Sequence, residues 1–404
     1  MMKTFLIFFL FISALFANPL QDAINQAAPF SIIKLQKGLY KGNIIIDKPL
    51  SIEGLEDDVI IEGDGLGSVV TISASSVSLN NITIQKSGTQ MHRLDAAISM
   101  KKVSSCKIRH CKILDSLYGI DMDMVQNSLI EENYITSKKY DIGLRGDGLK
   151  LYYSNNNIIR NNTIEAVRDI TLNYSHNNYF ESNTILKNRF GVHLSLSKGN
   201  TFHKNEFRYN SIGIMLMGAK DTNITNNILN SSQGAAGIAV MIGSVNNMLF
   251  EKNRVSYNAK ALYIDGKEKE EGIKRYIIDN EISHNGEAFH FHATIKKNKI
   301  VNNRIFGNIN DVVKDVAGEF SDTNIVEYNY WDRYSGFDRD KDGIGDRPHI
   351  VYQYADQLWH YNHKIKFFYA SPIMTLLNFL SELAPFIEPH MIMKDSKPLM
   401  RIED

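Results

Sequence analysis

Histidine and methionine recur at fixed places in a repeated strand pattern. Each copy opens with a small residue, as in GVHLS from Gly191, and the residues one and three places further on are apolar. Side chains alternate between the two faces of a strand, so we expect the residues two and four places further on to point outward. We call these positions the outward stripe; they hold Asp121 and Asp123, His193 and Ser195, Met215 and Met217, Ala239 and Met241, Tyr263 and Asp265, and His290 and His292.

The composition of the outward stripe suits a soft metal ion. Thioether and imidazole groups together form a ligand set that suits copper, especially Cu(I). Methionine has no packing reason to lie on a solvated face unless something covers it. The stripe therefore predicts copper ligands among Met215, Met217, Met241, His193, His290 and His292. The alternative is that the C-terminal segment covers the methionines as a small additional core, and that His193 is a solvated surface residue.

An acidic loop near residue 340 predicts a second kind of metal site. Asp338, Asp340 and Asp342 alternate, Gly343 permits a sharp turn, and Asp346 stands at the ninth position of the loop. This pattern matches the first nine positions of a calcium loop. The twelfth position is His349 and not glutamate, so a complete EF-hand is not present. We expect structural Ca²⁺ that ties down the end of the fold, with a metal-free acidic turn as the alternative.

A short asparagine phrase indicates the fold that positions these residues. It reads Asn, four residues, Asn, one residue and then an aliphatic or aromatic residue, and it recurs mostly every 21 to 27 residues; clear copies are NIIRNNTI (157–164), NYFESNTI (178–185), NTFHKNEF (200–207) and NKIVNNRI (298–305). Repeats of this length indicate a solenoid. They are too short for helical pairs, and stacked asparagines can form hydrogen-bonded ladders. We predict an all-β, right-handed parallel β-helix of about eleven coils.

The two cysteines fit the same phrase. Cys106 and Cys111 in CKIRHCKI occupy its two asparagine positions. We therefore expect them to be structural ladder residues. A metal or redox role is the alternative, and a bridge across a turn remains open.

The ends of the chain differ from the repeat. Residues 1–17 read as a secretory signal peptide, with an uncleaved anchor as the alternative. The β-helix, with a short capping helix from Asn18, is expected over 18–330, the acidic loop over 331–350, and a tail with an amphipathic helix over 351–404. That helix is expected either to cover the solenoid or to dock on a partner. With 45 basic and 45 acidic side chains, no net charge attracts nucleic acid.

Three features in this order resemble the NosD family. They are the asparagine-rich coils, the loop NYWDRYSGFDRDKDGIGDRP and the tail SPIMTLLNFLSELAPF, all behind a signal peptide. The resemblance implies a non-enzymatic periplasmic protein required for maturing the copper centres of nitrous oxide reductase. It also implies partners: an ABC transporter permease and its ATPase, a copper-carrying protein and the apo-reductase. Membrane association is then expected only through partners.

A different class of function remains possible on this fold. Many β-helix proteins are polysaccharide lyases, hydrolases or epimerases that act on acidic glycans, and fold does not decide function. Such an enzyme needs an acid and a base in one groove, for which Asp121, Asp123, His193 and Arg145 are the candidates. The exposed methionines argue against it, because sugar grooves favour aromatic and charged side chains. A purely structural β-helix is a third possibility.

Overall fold

The computed structural model describes residues 18–266, 271–272, 274–315, 320–353, 364, 368, 371–383 and 390–401. The predicted signal peptide, 1–17, lies outside the described residues. The chain divides into two compact units, Met1–Asn223 and Ile224–Asp404. Each unit is a parallel β-solenoid.

The first unit begins with a helix and continues as eight turns of three short strands. Helix α1 is Pro19–Gln26, and short 3-10 helices lie at Met91–Arg93 and Ile142–Leu144. The strands are β1 Ile32–Leu35, β2 Gly38–Lys41, β3 Ile44–Ile46, β4 Ser51–Gly54, β5 Val59–Glu62, β6 Val70–Ile72, β7 Ser78–Asn80, β8 Thr83–Gln85, β9 Ala96–Lys101, β10 Lys107–Arg109, β11 Lys112–Ser116, β12 Tyr118–Asp123, β13 Leu129–Glu131, β14 Tyr134–Ser137, β15 Leu149–Tyr152, β16 Ile158–Arg160, β17 Thr163–Glu165, β18 Asp169–Asn173, β19 Tyr179–Glu181, β20 Thr184–Leu186, β21 Phe190–Ser195, β22 Thr201–His203, β23 Glu206–Arg208 and β24 Ile212–Met217.

Every third strand belongs to the same sheet, so each face of the first unit is a parallel sheet. The third face, from β3 to β24, carries the outward stripe. Strand β21 alternates as predicted, because Val192 and Leu194 are fully buried and His193 between them is half-buried. Rows of stacked aliphatic side chains from all three faces fill the interior.

The second unit contains five further turns, of which the last has no third strand among the described residues. Its strands are β25 Lys220–Thr225, which begins in the first unit, β26 Ile228–Asn230, β27 Ile238–Gly243, β28 Asn246–Glu251, β29 Arg254–Ser256, β30 Lys260–Asp265, β31 Arg275–Ile278, β32 Glu281–Ser283, β33 Glu287–Phe291, β34 Asn298–Val301, β35 Arg304–Phe306, β36 Asn310–Lys314, β37 Ile325–Glu327 and β38 Tyr330–Trp331. An antiparallel pair, β39 His349–Gln353 and β40 His390–Asp395, and helix α2, Pro372–Leu383, follow.

The all-β parallel solenoid is confirmed, but the predicted number of coils was too low. Eight turns in the first unit and five in the second give about thirteen, against about eleven predicted. The difference arises where the asparagine phrase is absent. In the opening turns the register puts Leu50 and Val77 at one of these positions and Val59 and Ile82 at the other, so counting asparagines misses these turns.

Buried asparagines tie successive turns together. In the first unit the Nδ2 atom of Asn133 donates to Oδ1 of Asn162 at 2.9 Å, Asn162 donates to Asn183 at 2.9 Å, and Asn183 donates to Asn205 at 2.9 Å. Each side chain also satisfies backbone groups of the turn, which no apolar residue could do. A ladder not anticipated from the sequence stands five residues further on, where Asn258 donates to Asn285.

Both cysteines take ladder positions, as predicted. The backbone N–H of Cys106 donates to Ser128 Oγ at 3.1 Å and that of Cys111 to Asn133 Oδ1 at 2.9 Å. Both thiols are free and buried. Burial raises the pKa of Cys111 to about 12, so its thiol stays protonated and is a poor metal ligand.

The helices at the two ends of the chain differ in burial. Asn18 caps α1 by accepting from the backbone N–H of Gln21 at 3.2 Å, and Leu20 and Ile24 are buried, as expected for the predicted capping helix. Of the α2 side chains that the structure describes, only Met374 is buried. The exposed ones are 39 % to 67 % accessible and include Ile373, Leu376, Leu377, Phe379, Leu380 and Leu383.

Candidate metal site on the outward stripe

The first unit aligns three of the predicted copper ligands. His193 of β21 pairs in register with Met215 of β24, and Ser195 pairs with Met217. Adjacent parallel strands lie about 4.8 Å apart, so these side chains are neighbours on one face. Met217 is 38 % exposed, and Met215 is half-buried.

The surroundings of His193 favour a neutral ring. Burial lowers its pKa; the positive charge of Arg189 acts in the same direction, and the negative charge of Asp169 opposes it. The edge of the ring also faces Phe190, with the centroids 5.6 Å apart. Neutral imidazole is the form that binds metal ions.

The earlier part of the same row is polar and closed by ion pairs. Asp121 is 1 % exposed, and its Oδ1 lies 3.4 Å from Lys150 Nζ. Burial raises the pKa of Asp121, and Lys150 partly offsets this. Asp123 is half-buried at the end of the same strand. Arg145 lies away from the row, because its guanidinium donates to the carbonyl oxygens of Tyr140 and Ala166 at 2.7 and 2.9 Å.

A buried network of acids and arginines beside this row was not anticipated from the sequence. Asp147 and Asp169, 3 % and 1 % exposed, both contact Arg168, and Asp169 also pairs with Arg189. Asp169 opens β18, and the other residues lie just before a strand of the third face, where the sequence shows charged pairs such as Arg168–Asp169. Because these charged side chains pair with one another, the soft donors left for a metal ion on this part of the stripe are His193, Met215 and Met217.

In the second unit the register differs from the predicted one by two residues. Val240 pairs with Leu262, and Met241 pairs with Tyr263. Ala239, expected to point outward, is fully buried and takes the small-residue position assigned to Gly237. The insertion before β27 hid this shift, because Gly237 has φ +57° and belongs to the turn. Met241 therefore shares its row with Tyr263 and His290.

His290 and His292 meet two carboxylates that the sequence analysis missed. Nδ1 of His290 lies 2.5 Å from Glu287 Oε2, and its Nε2 lies 3.4 Å from Asp315 Oδ2. Nδ1 of His292 lies 2.7 Å from Asp315 Oδ1. His290 is only 6 % exposed although it lies in the outward row, whereas the side chain of His292 is 43 % exposed.

This pairing favours the cationic form of the His290 ring. Burial opposes the charge, but the hydrogen bonds to Asp315 and Glu287 outweigh it and raise the pKa of His290. Burial likewise opposes ionisation of Asp315, and the hydrogen bonds from the two histidines outweigh it and hold the pKa of Asp315 well below its usual range. Tyr263 stacks on His290 with the ring centroids 4.8 Å apart.

The acidic loop brings three of the four predicted calcium ligands together. Single oxygens of Asp338, Asp340 and Asp342 lie within 4.8 Å of one another. The backbone N–H of Gly343 donates to Asp338 at 3.0 Å, and that of Arg339 donates to the fourth residue, Asp346, at 3.1 Å. Repulsion by Asp342 raises the pKa of Asp340.

In sequence comparison with known proteins, a family model and individual relatives give the same family name. The family model described as "Periplasmic copper-binding protein (NosD)" matches residues 138–336. A Pseudomonas aeruginosa protein, "Probable ABC transporter binding protein NosD", is 25 % identical over 398 residues, which cover 91 % of this chain and 88 % of that protein. The family model and this relative both support the NosD family for the chain. A Stutzerimonas stutzeri protein of the same name is 24 % identical over 421 residues, 93 % of this chain and 91 % of that protein.

Solved structures show the same fold at low identity. The A-module of the mannuronan C-5 epimerase AlgE6 from Azotobacter vinelandii has a TM-score of 0.60 at 12 % identity and covers 77 % of this chain and 93 % of its own. The surface adhesin PfbA of Streptococcus pneumoniae has a TM-score of 0.55 at 15 % identity, covering 73 % and 89 %. An enzyme and an adhesin share this solenoid, so the fold alone does not distinguish NosD proteins from either.

The family description fits the location expected from the sequence. It places NosD proteins in the periplasm. Among the described residues, no helix has the length and apolar character that crossing a membrane requires. Both relatives are named as ABC transporter binding proteins and not as enzymes.

Proposed function

We propose that this chain binds Cu(I) on its outward stripe and passes it on during assembly of the copper centres of nitrous oxide reductase. The observation that carries the proposal is the register of β21 and β24, which sets His193 beside Met215 and Ser195 beside Met217 in a copper-binding family. Residues 1–17 would direct export to the periplasm. Copper is here a cargo and not a resident cofactor.

The chemistry of the three side chains supports a transfer role. Thioether sulfur and neutral imidazole are soft donors that prefer Cu(I) to the hard ions Ca²⁺ and Mg²⁺. Met217 is exposed and His193 and Met215 are half-buried, so an incoming carrier can reach the donors. A few soft ligands on an open face hold the ion without enclosing it. In the second unit, Met241 and His292 offer the same donor types.

The proposed partners follow from the family. We propose that the chain works with the permease and ATPase of an ABC transporter, receives copper from a copper-carrying protein and delivers it to the apo-reductase. The exposed apolar side chains of α2 are the proposed contact with the permease. Deleting Pro372–Leu383 is expected to abolish co-purification of the permease while leaving Cu(I) affinity unchanged; persistent co-purification would contradict this contact.

Competition with a chromophoric Cu(I) chelator tests the copper site. The protein without residues 1–17 is titrated alongside a variant with His193→Ala, Met215→Leu and Met217→Leu. Leucine keeps the volume of methionine, so the fold should be retained. We expect the affinity for Cu(I) to fall about tenfold or more, which corresponds to a loss of about 1.4 kcal/mol or more of binding free energy. A matched control is Met124→Leu, because Met124 is 42 % exposed but lies off the stripe.

The outcomes separate the classes of function. If the wild type does not bind Cu(I), or if Met124→Leu loses as much affinity as the triple variant, the outward stripe is not a copper site. Turnover of an alginate or pectate polymer would instead support the enzyme alternative. That alternative is not favoured by the structure's contacts, since the donors of Arg145 are bound to backbone oxygens and Asp121 is buried against Lys150.

We propose further that the acidic loop binds Ca²⁺ through Asp338, Asp340 and Asp342, with Asp346 completing the set. The clustering of three carboxylate oxygens supports this, because carboxylate oxygens are the hard ligands that Ca²⁺ prefers. The role of the ion would be structural.

A further inference from the structure

Asp315 fixes the orientation of the exposed histidine of the second unit. It follows β36, and its Oδ1 lies 2.7 Å from Nδ1 of His292, a residue 23 positions earlier in the chain. The side chain of Asp315 is 11 % exposed, so little water competes for this contact.

The chemistry of the contact defines the tautomer of His292. An ionised carboxylate only accepts hydrogen bonds, so Nδ1 of His292 must carry the proton. The lone pair of the neutral ring then lies on Nε2. Among the residues that the structure describes, Nε2 of His292 has no hydrogen-bond partner.

Further contacts hold the ring in place. Tyr263 lies over both imidazoles, with ring centroids 4.8 Å from His290 and 6.1 Å from His292 and interplanar angles of 16° and 20°. His290 is itself held between Glu287 and Asp315. His290 thus helps to position Asp315, and Asp315 positions His292.

We propose that Asp315 is a positioning residue that presents Nε2 of His292 as a copper ligand, and that His290 belongs to the supporting network and does not bind the ion. This inference rests on the proposed copper-binding function. Metal-binding histidines commonly donate their other ring N–H to a carboxylate, which orients the ring and sets the tautomer. His290 cannot present a ring nitrogen in the same way, because its Nδ1 is bonded to Glu287 and its Nε2, which makes no hydrogen bond to a described residue, is buried 3.4 Å from Asp315 Oδ2 in a residue that is 6 % exposed.

The tautomer is measured first, without metal. Protein labelled with ¹⁵N-histidine is compared at about pH 8, where free imidazole is neutral, as wild type, Asp315→Ala, Asp315→Asn and Asp265→Ala. Wild type is expected to show His292 with Nδ1 protonated and Nε2 unprotonated. Asp315→Ala should lose this preference and Asp315→Asn, which keeps an acceptor oxygen, should retain it in part. Asp265 is the matched control, as it ends the adjacent strand β30 and its side chain is not a ring partner of His292.

The affinity for Cu(I) is measured second, in a double-mutant cycle. Asp315→Ala is expected to weaken binding to His292 by about 10- to 100-fold, and to have no further effect once His292 is alanine. His290→Gln should weaken binding less than His292→Ala. An unchanged tautomer in Asp315→Ala, or equal losses with and without His292, would overturn the positioning role. Failure of the wild type to bind Cu(I) would overturn the proposed function while the tautomer result stands by itself.

Discussion

Single residues on the outward stripe are predictable in type and direction but not in their partners. The alternation of apolar and polar residues correctly placed His193, Met215 and Met217 on the outer face. It could not reveal Glu287 or Asp315 as partners, because Glu287 opens the strand that carries His290 and Asp315 comes from the next coil. It also misplaced Ala239, since an insertion shifts the register without altering the apolar pattern.

Asp311 shows the cost of a buried carboxylate in the same unit. It is 5 % exposed and takes the inward position that the small residues Ala261 and Ala288 hold in the preceding turns. Burial raises the pKa of Asp311 to about 6; the charge of Asp332 adds to this, and Arg333 opposes it. Between about pH 4 and about pH 6 the native state therefore holds a proton that the unfolded chain has already released.

We predict that Asp311→Asn stabilises the protein at neutral pH. Because the pKa of the folded state is above that of the unfolded state, wild-type stability falls as the pH rises from about 4 to about 6 and then levels off. The variant should lack this loss. Its free energy of unfolding should exceed that of wild type by up to about 3 kcal/mol at about pH 7.5 and should equal it near pH 4. Urea unfolding at both pH values measures it. The exposed Asp322→Asn should change stability by less than about 0.5 kcal/mol at either pH; a pH-independent gain in Asp311→Asn would refute the explanation.

At the scale of elements, the asparagine phrase predicted the turns because it performs one physical task. Each strand is only about three residues long, too short to be stable alone, and a buried amide links each corner to the next. The first two asparagines of each turn were visible in the sequence. The third lies five residues after the second, as in Asn258 and Asn285, and was missed because Val167 and Ser232 stand at this position in other turns.

We predict that Asn162→Ala destabilises the first unit strongly. Asn162 is 1 % exposed; its Nδ2 donates to Asn183 and to the carbonyl oxygen of Ile130 at 2.9 Å each, and its Oδ1 accepts from Asn133 at 2.9 Å. Alanine leaves several buried groups unpaired, which should cost about 2 to 4 kcal/mol.

Denaturant unfolding followed by circular dichroism measures this loss. The control is Asn223→Ala, whose side chain is exposed on β25, and it should cost less than about 0.5 kcal/mol. Similar losses in both variants would mean that the ladder contributes no more than any surface asparagine.

At the scale of the whole chain, the tail returns to close the second unit, which the sequence did not indicate. Asp395 of β40 takes the ladder position after Asn329, whose Nδ2 donates to it at 2.9 Å, and it accepts from Trp331 Nε1 at 2.9 Å. The contact joins residues 66 positions apart. Local periodicity cannot predict such a contact. The contact depends on where an irregular segment ends and not on any repeat.

The acidic loop is attached to this returning segment. The backbone N–H of Gly345 donates to the carbonyl oxygen of Pro398 at 2.8 Å, and that of Met400 donates to Gly343 at 3.0 Å. The loop and the last ladder residue therefore stabilise the same end of the solenoid, and an ion that orders the loop should stabilise that end as well.

We predict that Ca²⁺ raises the thermal stability of the protein through this loop. A ligand that binds only the folded state stabilises by about 2.7 kcal/mol at a hundredfold excess over its Kd, so the melting temperature should rise with added CaCl₂ and fall with a chelator. Asp340→Asn with Asp342→Asn should abolish the rise. In calcium-free buffer the same double variant should be no less stable than wild type, because it removes the repulsion that raises the pKa of Asp340. Calcium-dependent stabilisation that persists in the double variant would place the ion elsewhere, and no stabilisation in wild type would leave the loop as a metal-free acidic turn.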